Sequence, residues 1–171
     1  MSYFNQFGTI LYDPAGDGSA KLCTDIMSRV RIRASMKKEI IMLDPYNVKE
    51  NETPEIVADK HHGSPYYHWV VMLINDISDV NHDWVKSTRQ MQKYLTDKYT
   101  EAQLAETHHF EISQTSGDTT TKIEVENSTY PSASIVTNYE YEVALNESKR
   151  EIDLLQNEYL TFFVEEFQSS I

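Results

Sequence analysis

The sequence predicts an α+β fold, on three observations. Segments of alternating hydrophobicity read as short strands, most plainly in "HHFEISQTSGDTTTKIEVENS", which has a Ser-Gly-Asp turn at its middle. Thr53-Pro54-Glu55 and Ser64-Pro65 carry the cap-then-proline grammar of helix starts. In "NEYLTFFVEEFQSSI", Tyr159, Leu160, Phe163, Val164 and Phe167 recur at three- and four-residue spacing, the stripe of an amphipathic helix.

Composition limits the function classes. The chain has 171 residues, of which 40% are hydrophobic, enough for one main domain with appendages. Fifteen Lys+Arg against 27 Asp+Glu give a formal charge of −12, a field that opposes nucleic acid and anionic lipid alike. One cysteine, Cys23, excludes an internal disulfide, and no Cys/His motif surrounds it to make it a nucleophile. The opening "MSYFNQFGTI" lacks the basic-then-apolar order of a secretion signal, so folding in a reducing cytoplasm is expected.

Along the chain, "YFNQFGTILYD" is aromatic and β-leaning, and "DPAGDGSA" concentrates Pro, Gly and Asp into a loop, so an apolar arm precedes a mobile loop. Thr24 is placed to cap a short helix bearing Ile26, Met27 and Val30. "RVRIRA" alternates strictly, putting Arg29, Arg31 and Arg33 on one strand face. Such a face is commonly solvated, and its alternative is a docking edge for an acidic neighbour. "EIIMLDPYNVKE" reads as β structure broken at Asp44-Pro45. The helix from Thr53 is expected to turn Ile56, Val57 and Ala58 inward and to stop at Gly63.

The helix restarted at Ser64-Pro65 carries "YYHWVVMLI", an apolar run far short of the roughly 20 residues of a membrane span. Tyr66, Trp69, Val70 and Leu73 form one face, and Tyr67, Val71 and Ile74 another. A helix apolar over most of its circumference is covered on more than one side. "NDISDVNHDW" is a turn-rich connector ending in Trp84, after which Ser87 and Gln90 are spaced as a capping box for a helix striped by Met91, Tyr94, Leu95 and Tyr99. The polar hairpin is expected to be an exposed appendage. "NYEYEVALNESKRE" then reads as helix, "IDLLQ" as strand, and the last segment as a helix capped by Asn157.

No Gly-rich phosphate loop, GxSxG, HExxH or CxxC is present. The pairs His61-His62 and His108-His109 are adjacent, whereas ligands on one helix face need wider spacing, so no metal and no cofactor are expected. Glu165-Glu166 sits on a solvent face. A binding or assembly protein is read, not an enzyme.

The span "YNVKENETPEIVADKHHGSPYYHWVVMLIN", from Tyr46 to Asn75, resembles a LysM repeat: a strand, a Glu-Thr-Pro helix start, and a second helix ending at Asn. Its flanks "TDIMSRVRIR" and "NDISDVNHDW", with "YEYEVALNESKREIDLL" later, resemble the gene product fifty-three family of baseplate wedge subunits in T4-like contractile-tailed bacteriophages. The similarity weakens over 105–135 and 13–19. This resemblance implies a small LysM-like βααβ core spanning Tyr46 to about Asp79, with Ile56, Ala58, Trp69, Val70 and Leu73 inside. It implies a structural subunit of the virion tail, assembled in the host cytoplasm, joining neighbouring wedges around the central hub. Implied partners are wedge proteins resembling the products of genes six, seven and twenty-five, together with the hub, in six copies per baseplate.

The alternative is a LysM-type peptidoglycan- or glycan-binding module. Against it, Asn51-Glu52-Thr53 stands where glycan-binding repeats usually carry Gly-Asp-Thr, and the unit occurs once. The resulting division is an N-terminal arm with a short helix and strand (1–43), a LysM-like domain (44–83), a helical segment (84–104), a β-hairpin appendage (105–130) and a C-terminal helical and strand region (131–171). The candidate interface comprises Tyr66, Tyr67, Trp69, Trp84, Tyr159, Leu160, Phe163, Val164 and Phe167 with Arg29, Arg31 and Arg33.

Overall fold

In the computed structural model, which describes residues 3–27, 42–117 and 119–169, a 3-10 turn at Tyr3–Gln6 leads into β1 (Thr9–Tyr12) and β2 (Lys21–Thr24). After β3 (Leu43–Asn47) come α1 (Pro54–His62), a 3-10 turn at Pro65–Tyr67, α2 (His68–Ile74) and the single turn α3 (Val80–Asp83). Next are α4 (Thr88–Lys98), α5 (Glu101–Leu104), β4 (Thr107–Ser116), β5 (Thr119–Val125) and β6 (Ser134–Thr137). The described chain ends with α6 (Asn138–Ser148), β7 (Glu151–Leu155) and α7 (Asn157–Ser169). The architecture is α+β. The chain divides into two units, 1–84 with 151–171, and 85–150.

In the first unit, β3 pairs antiparallel with β7, from Leu43 opposite Leu155 to Asn47 opposite Glu151. The expected strand–helix–helix–strand closing near Asp79 is therefore corrected. Residues 75–79 form no strand, and the strand beside β3 arrives from beyond the second unit. Asn75, at the end of α2, fixes it: its Nδ2 donates to the carbonyl of Asp153 at 2.8 Å, and its Oδ1 accepts from the Asp153 amide at 2.9 Å. β3 also runs through Pro45 without breaking, because in a two-stranded sheet every strand is an edge that tolerates a missing N–H.

Local helix grammar holds at α1. Thr53 caps it, Pro54 opens it, and Gly63 closes it at φ 72° with its amide on the carbonyl of Asp59. Val57 and Ala58 are buried, but Ile56 is 41% exposed. Successive helix residues point about 100° apart, so three in a row cannot share a face. Leu73 is only partly buried. Among the described residues Thr24 caps no helix; it closes β2 opposite Thr9. The Arg29, Arg31 and Arg33 strand and Val30 lie outside the described residues.

The apolar helix α2 is covered by its own chain. Trp69, Val70 and Ile74 form one cluster with Phe7, Leu155, Leu160, Phe163 and Phe167. Trp69 lies with its ring centroid 4.6 Å from that of Phe167 and 5.8 Å from that of Tyr3. Side chains of this size contribute roughly 1.5–3 kcal/mol each when fully buried, which ties α7 and the N-terminal turn to α2.

The end of α1 is latched to the β7–α7 junction by side chains. His61 Nε2 lies 3.0 Å from the carbonyl of Leu155, His62 Nδ1 lies 2.8 Å from Asn157 Oδ1, and Asn157 Nδ2 donates to the carbonyl of His61 at 2.7 Å. The Asn157 amide, expected as a helix cap, thus reaches across to α1. Among the described residues no partner reaches the buried His62 Nε2, and burial, with the adjacent His61 ring, holds the His62 imidazole below its ordinary value against the opposing pull of Asn157. A base depressed in the folded state gives full stability above its unfolded pKa of about 6.5 and loses it as pH falls below. His62→Gln is expected to lessen the drop in thermal midpoint between about pH 7.5 and 5.5, followed by circular dichroism.

The second unit has three capping boxes, at Ser87/Gln90, Thr100/Gln103 and Thr137/Glu140. β4 is the middle strand of a sheet ordered β5-β4-β6, and Gly117 at φ 63° makes the hairpin turn. The predicted hairpin is therefore joined by a third strand. Residues 85–150 cluster as one unit, which takes in the hairpin at 105–130. Met91 and Leu95 are buried, and Tyr94 and Tyr99 bring their hydroxyls to Glu142, at 3.3 and 2.9 Å. Lys98 adds an ion pair at 2.5 Å to this 3%-exposed carboxylate.

Candidate assembly surface

Most residues expected at an interface are in the core of the first unit. Trp69, Leu160, Phe163 and Phe167 are buried together, with Tyr67, Tyr159 and Val164 partly buried against them. Trp84 is buried with its indole N–H donating to the carbonyl of Glu52 at 2.8 Å. Tyr66 alone among the nine described candidates is exposed. The stripe, placed in the candidate interface from the sequence, is apolar because it covers α2. On the opposite side of α7, Phe162 is 60% exposed.

A different element carries the larger apolar exposure. β1 and β2 pair in register, Thr9 with Thr24, Ile10 with Cys23, Leu11 with Leu22 and Tyr12 with Lys21, and every residue of both strands is exposed. Cross-strand partners share a face, so Leu11 and Leu22 lie on one side and Ile10, Tyr12 and Cys23 on the other. Leu11 is 73% exposed and Leu22 69%. Ile26 and Met27 continue the exposure past the strand end. Among the described residues no third strand joins this ribbon.

The loop at the ribbon's tip is ordered by its own carboxylates. Asp13 accepts from the amides of Ala15, Gly16 and Gly18, at 3.2, 2.8 and 2.8 Å, and Asp17 accepts from the amide and hydroxyl of Ser19. The Gly18 amide above all holds the Asp13 carboxyl below the usual range, and the Ser19 hydroxyl does the same for Asp17. Both stay ionised at neutral pH. Gly16 and Gly18, at φ 67° and 84°, supply the left-handed backbone this wrap needs. The signal was in "TILY" and "KLCT": apolar residues at adjacent positions of a strand cannot share a face, so both faces are apolar.

Among the described residues no group of three His, Cys, Asp or Glu side chains is placed to hold a metal ion, and no helix is long and apolar enough to cross a membrane. Glu52, buried, accepts from the Tyr46 hydroxyl at 2.9 Å, the Lys49 amide at 2.8 Å and the Lys60 ammonium at 2.5 Å. The Asn51 residue before it has φ 64°. The Glu52 carboxylate is thus committed to internal bonds.

The family model described as base plate wedge protein 53 matches residues 23–131. No curated protein matches the chain.

Proposed function

Since this chain belongs to the base plate wedge protein 53 family, a family of phage baseplate structural proteins, we propose that it joins neighbouring wedges around the central hub during tail assembly. The observation that carries this reading is the family match over 23–131. The exposed ribbon at 9–24 supports it, since a surface so apolar suits burial in an assembly. Its partners are other baseplate proteins, those resembling the products of genes six, seven and twenty-five, with six copies set by the ring. The role is structural, without catalysis.

The LysM-like reading of β3, α1, α2 and β7 remains a proposal about fold, with the closing strand taken from 151–155. For glycan binding the internal bonding of Glu52 is unfavourable, because its carboxylate is already paired with Tyr46, the Lys49 amide and Lys60. No saturable binding to peptidoglycan fragments or chitin oligomers is expected by calorimetry; binding lost on altering Asn51 to Thr53 would reverse the ranking.

The joining role is tested by reconstituting wedges from the neighbouring tail proteins with and without this chain and imaging the product. Closed rings are expected only with it. Rings that close equally well in its absence would refute the proposal.

A further inference from the structure

We propose that His108 and His109 form a two-histidine chelate for a divalent transition-metal ion of the Cu2+ or Ni2+ type, held on the Nδ1 atoms of both rings. The site lies wholly within the 85–150 unit and is independent of the assembly role.

Adjacent residues of a regular strand point to opposite faces, the ground on which no metal is expected of this pair. β4 is not regular here. Against β6, Thr107 pairs with Thr137 and His109 with Val136, so two steps along β4 match one along β6 and His108 is the extra residue of a bulge. A bulge re-aims its side chains, and this one brings His108 Nδ1 to 2.8 Å from His109 Nδ1. The ladder to β5 begins only at Phe110, and His108 is exposed and His109 half-buried.

The separation fits one coordination geometry. Held at about 2.05 Å from an ion, two imidazole nitrogens stand about 2.9 Å apart at a right angle and about 3.4 Å apart at the tetrahedral angle. The pair is set close to the first, the geometry of tetragonal Cu2+ and of Ni2+ and not that of tetrahedral Zn2+. Without an ion, one ring donates its Nδ1–H to the lone pair of the other. Taking up the ion moves that proton through solvent to Nε2 of the same ring, so both Nδ1 atoms offer lone pairs and both rings stay neutral.

Tyr141, on α6, holds the pair in place. Its ring stacks on that of His108, with centroids 3.8 Å apart and planes at 9°, and meets His109 edge-on, at 6.0 Å and 87°. Ordering the rings beforehand lowers the entropy lost on chelation. Two protein ligands leave the other positions of the ion to water, and the net charge of −12 draws cations to the surface.

The untagged full-length chain is titrated with Ni2+ by calorimetry. One ion per chain is expected, and His108→Asn or His109→Asn should each weaken binding at least about tenfold, because the second ligand acts at the high effective concentration of an intramolecular group. His82→Asn, at an exposed histidine outside the pair, should bind like the parent. Two independent histidines would keep each single variant within about twofold of the parent, and that result overturns the chelate. So does a double variant that binds as the parent does, which places the ion elsewhere, or a titration that never saturates.

A second measurement needs no variant. With free Ni2+ at about ten times its Kd, hydrogen exchange at amides of 107–110 and α6 that open with the site should slow about tenfold. Exchange unchanged by the ion would overturn the proposal even where a heat of binding is seen.

Discussion

Phe163→Asp is expected to leave the first unit unfolded. Phe163 is 6% exposed and sits among Trp69, Leu160 and Phe167. Truncation of a buried phenylalanine alone costs about 3–5 kcal/mol. A carboxylate in the same place adds an unpaired charge, and the sum rivals the roughly 5–15 kcal/mol that holds an ordinary domain together. Both tryptophans, Trp69 and Trp84, are buried in this unit, so their fluorescence reports it alone. Phe162→Asp, one residue away and 60% exposed, is expected to leave emission and melting curve unchanged. A folded Phe163→Asp protein would mean that α7 does not pack on α2 in solution.

Glu142→Ala is expected to cost about 3 kcal/mol, at the lower end for a broken buried pair because Lys98 can turn to water. The alanine leaves the hydroxyls of Tyr94 and Tyr99 and the ammonium of Lys98 without the acceptor they share. Burial by itself would raise the Glu142 carboxyl, but the bonds from Lys98 and Tyr99 outweigh it and hold the group below the usual range. That stability is present above the unfolded glutamate value of about 4.3 and is lost as pH falls through the lower folded one. Amide hydrogen exchange in α4 and α6 measures the effect within the second unit. Unchanged exchange would show the carboxylate to be dispensable.

Signals that act within a few residues were legible in the sequence. Thr53, Ser87 and Gly63 end or begin helices through hydrogen bonds to their near neighbours, so their pattern needs no tertiary context. Strand partners were not legible. "IDLLQ" reads as a strand, but nothing in it says that Leu155 will lie beside Leu43 and not beside a segment near Asp79. The stripe on α7 was legible as apolar and misplaced in destination, since the same spacing serves a chain's own core and a partner's groove. Asp13 shows a further limit: its role in wrapping the tip loop depends on backbone directions that a run of Pro, Gly and Asp permits without specifying.

The antiparallel partner of β3 is made about a hundred residues after β3 itself. At elongation rates of about 5–20 residues per second, β3, α1 and α2 leave the ribosome on the order of five to twenty seconds before the strand that closes them. The intervening residues 85–150 cluster as a compact unit of their own, which can fold while they wait. Nascent chains that terminate early therefore carry the N-terminal ribbon without a finished body behind it, and only a chain translated to its last helix has both. On the assembly role proposed above, completion of synthesis becomes the checkpoint for entering a particle, and truncated products are expected to be cleared by proteases.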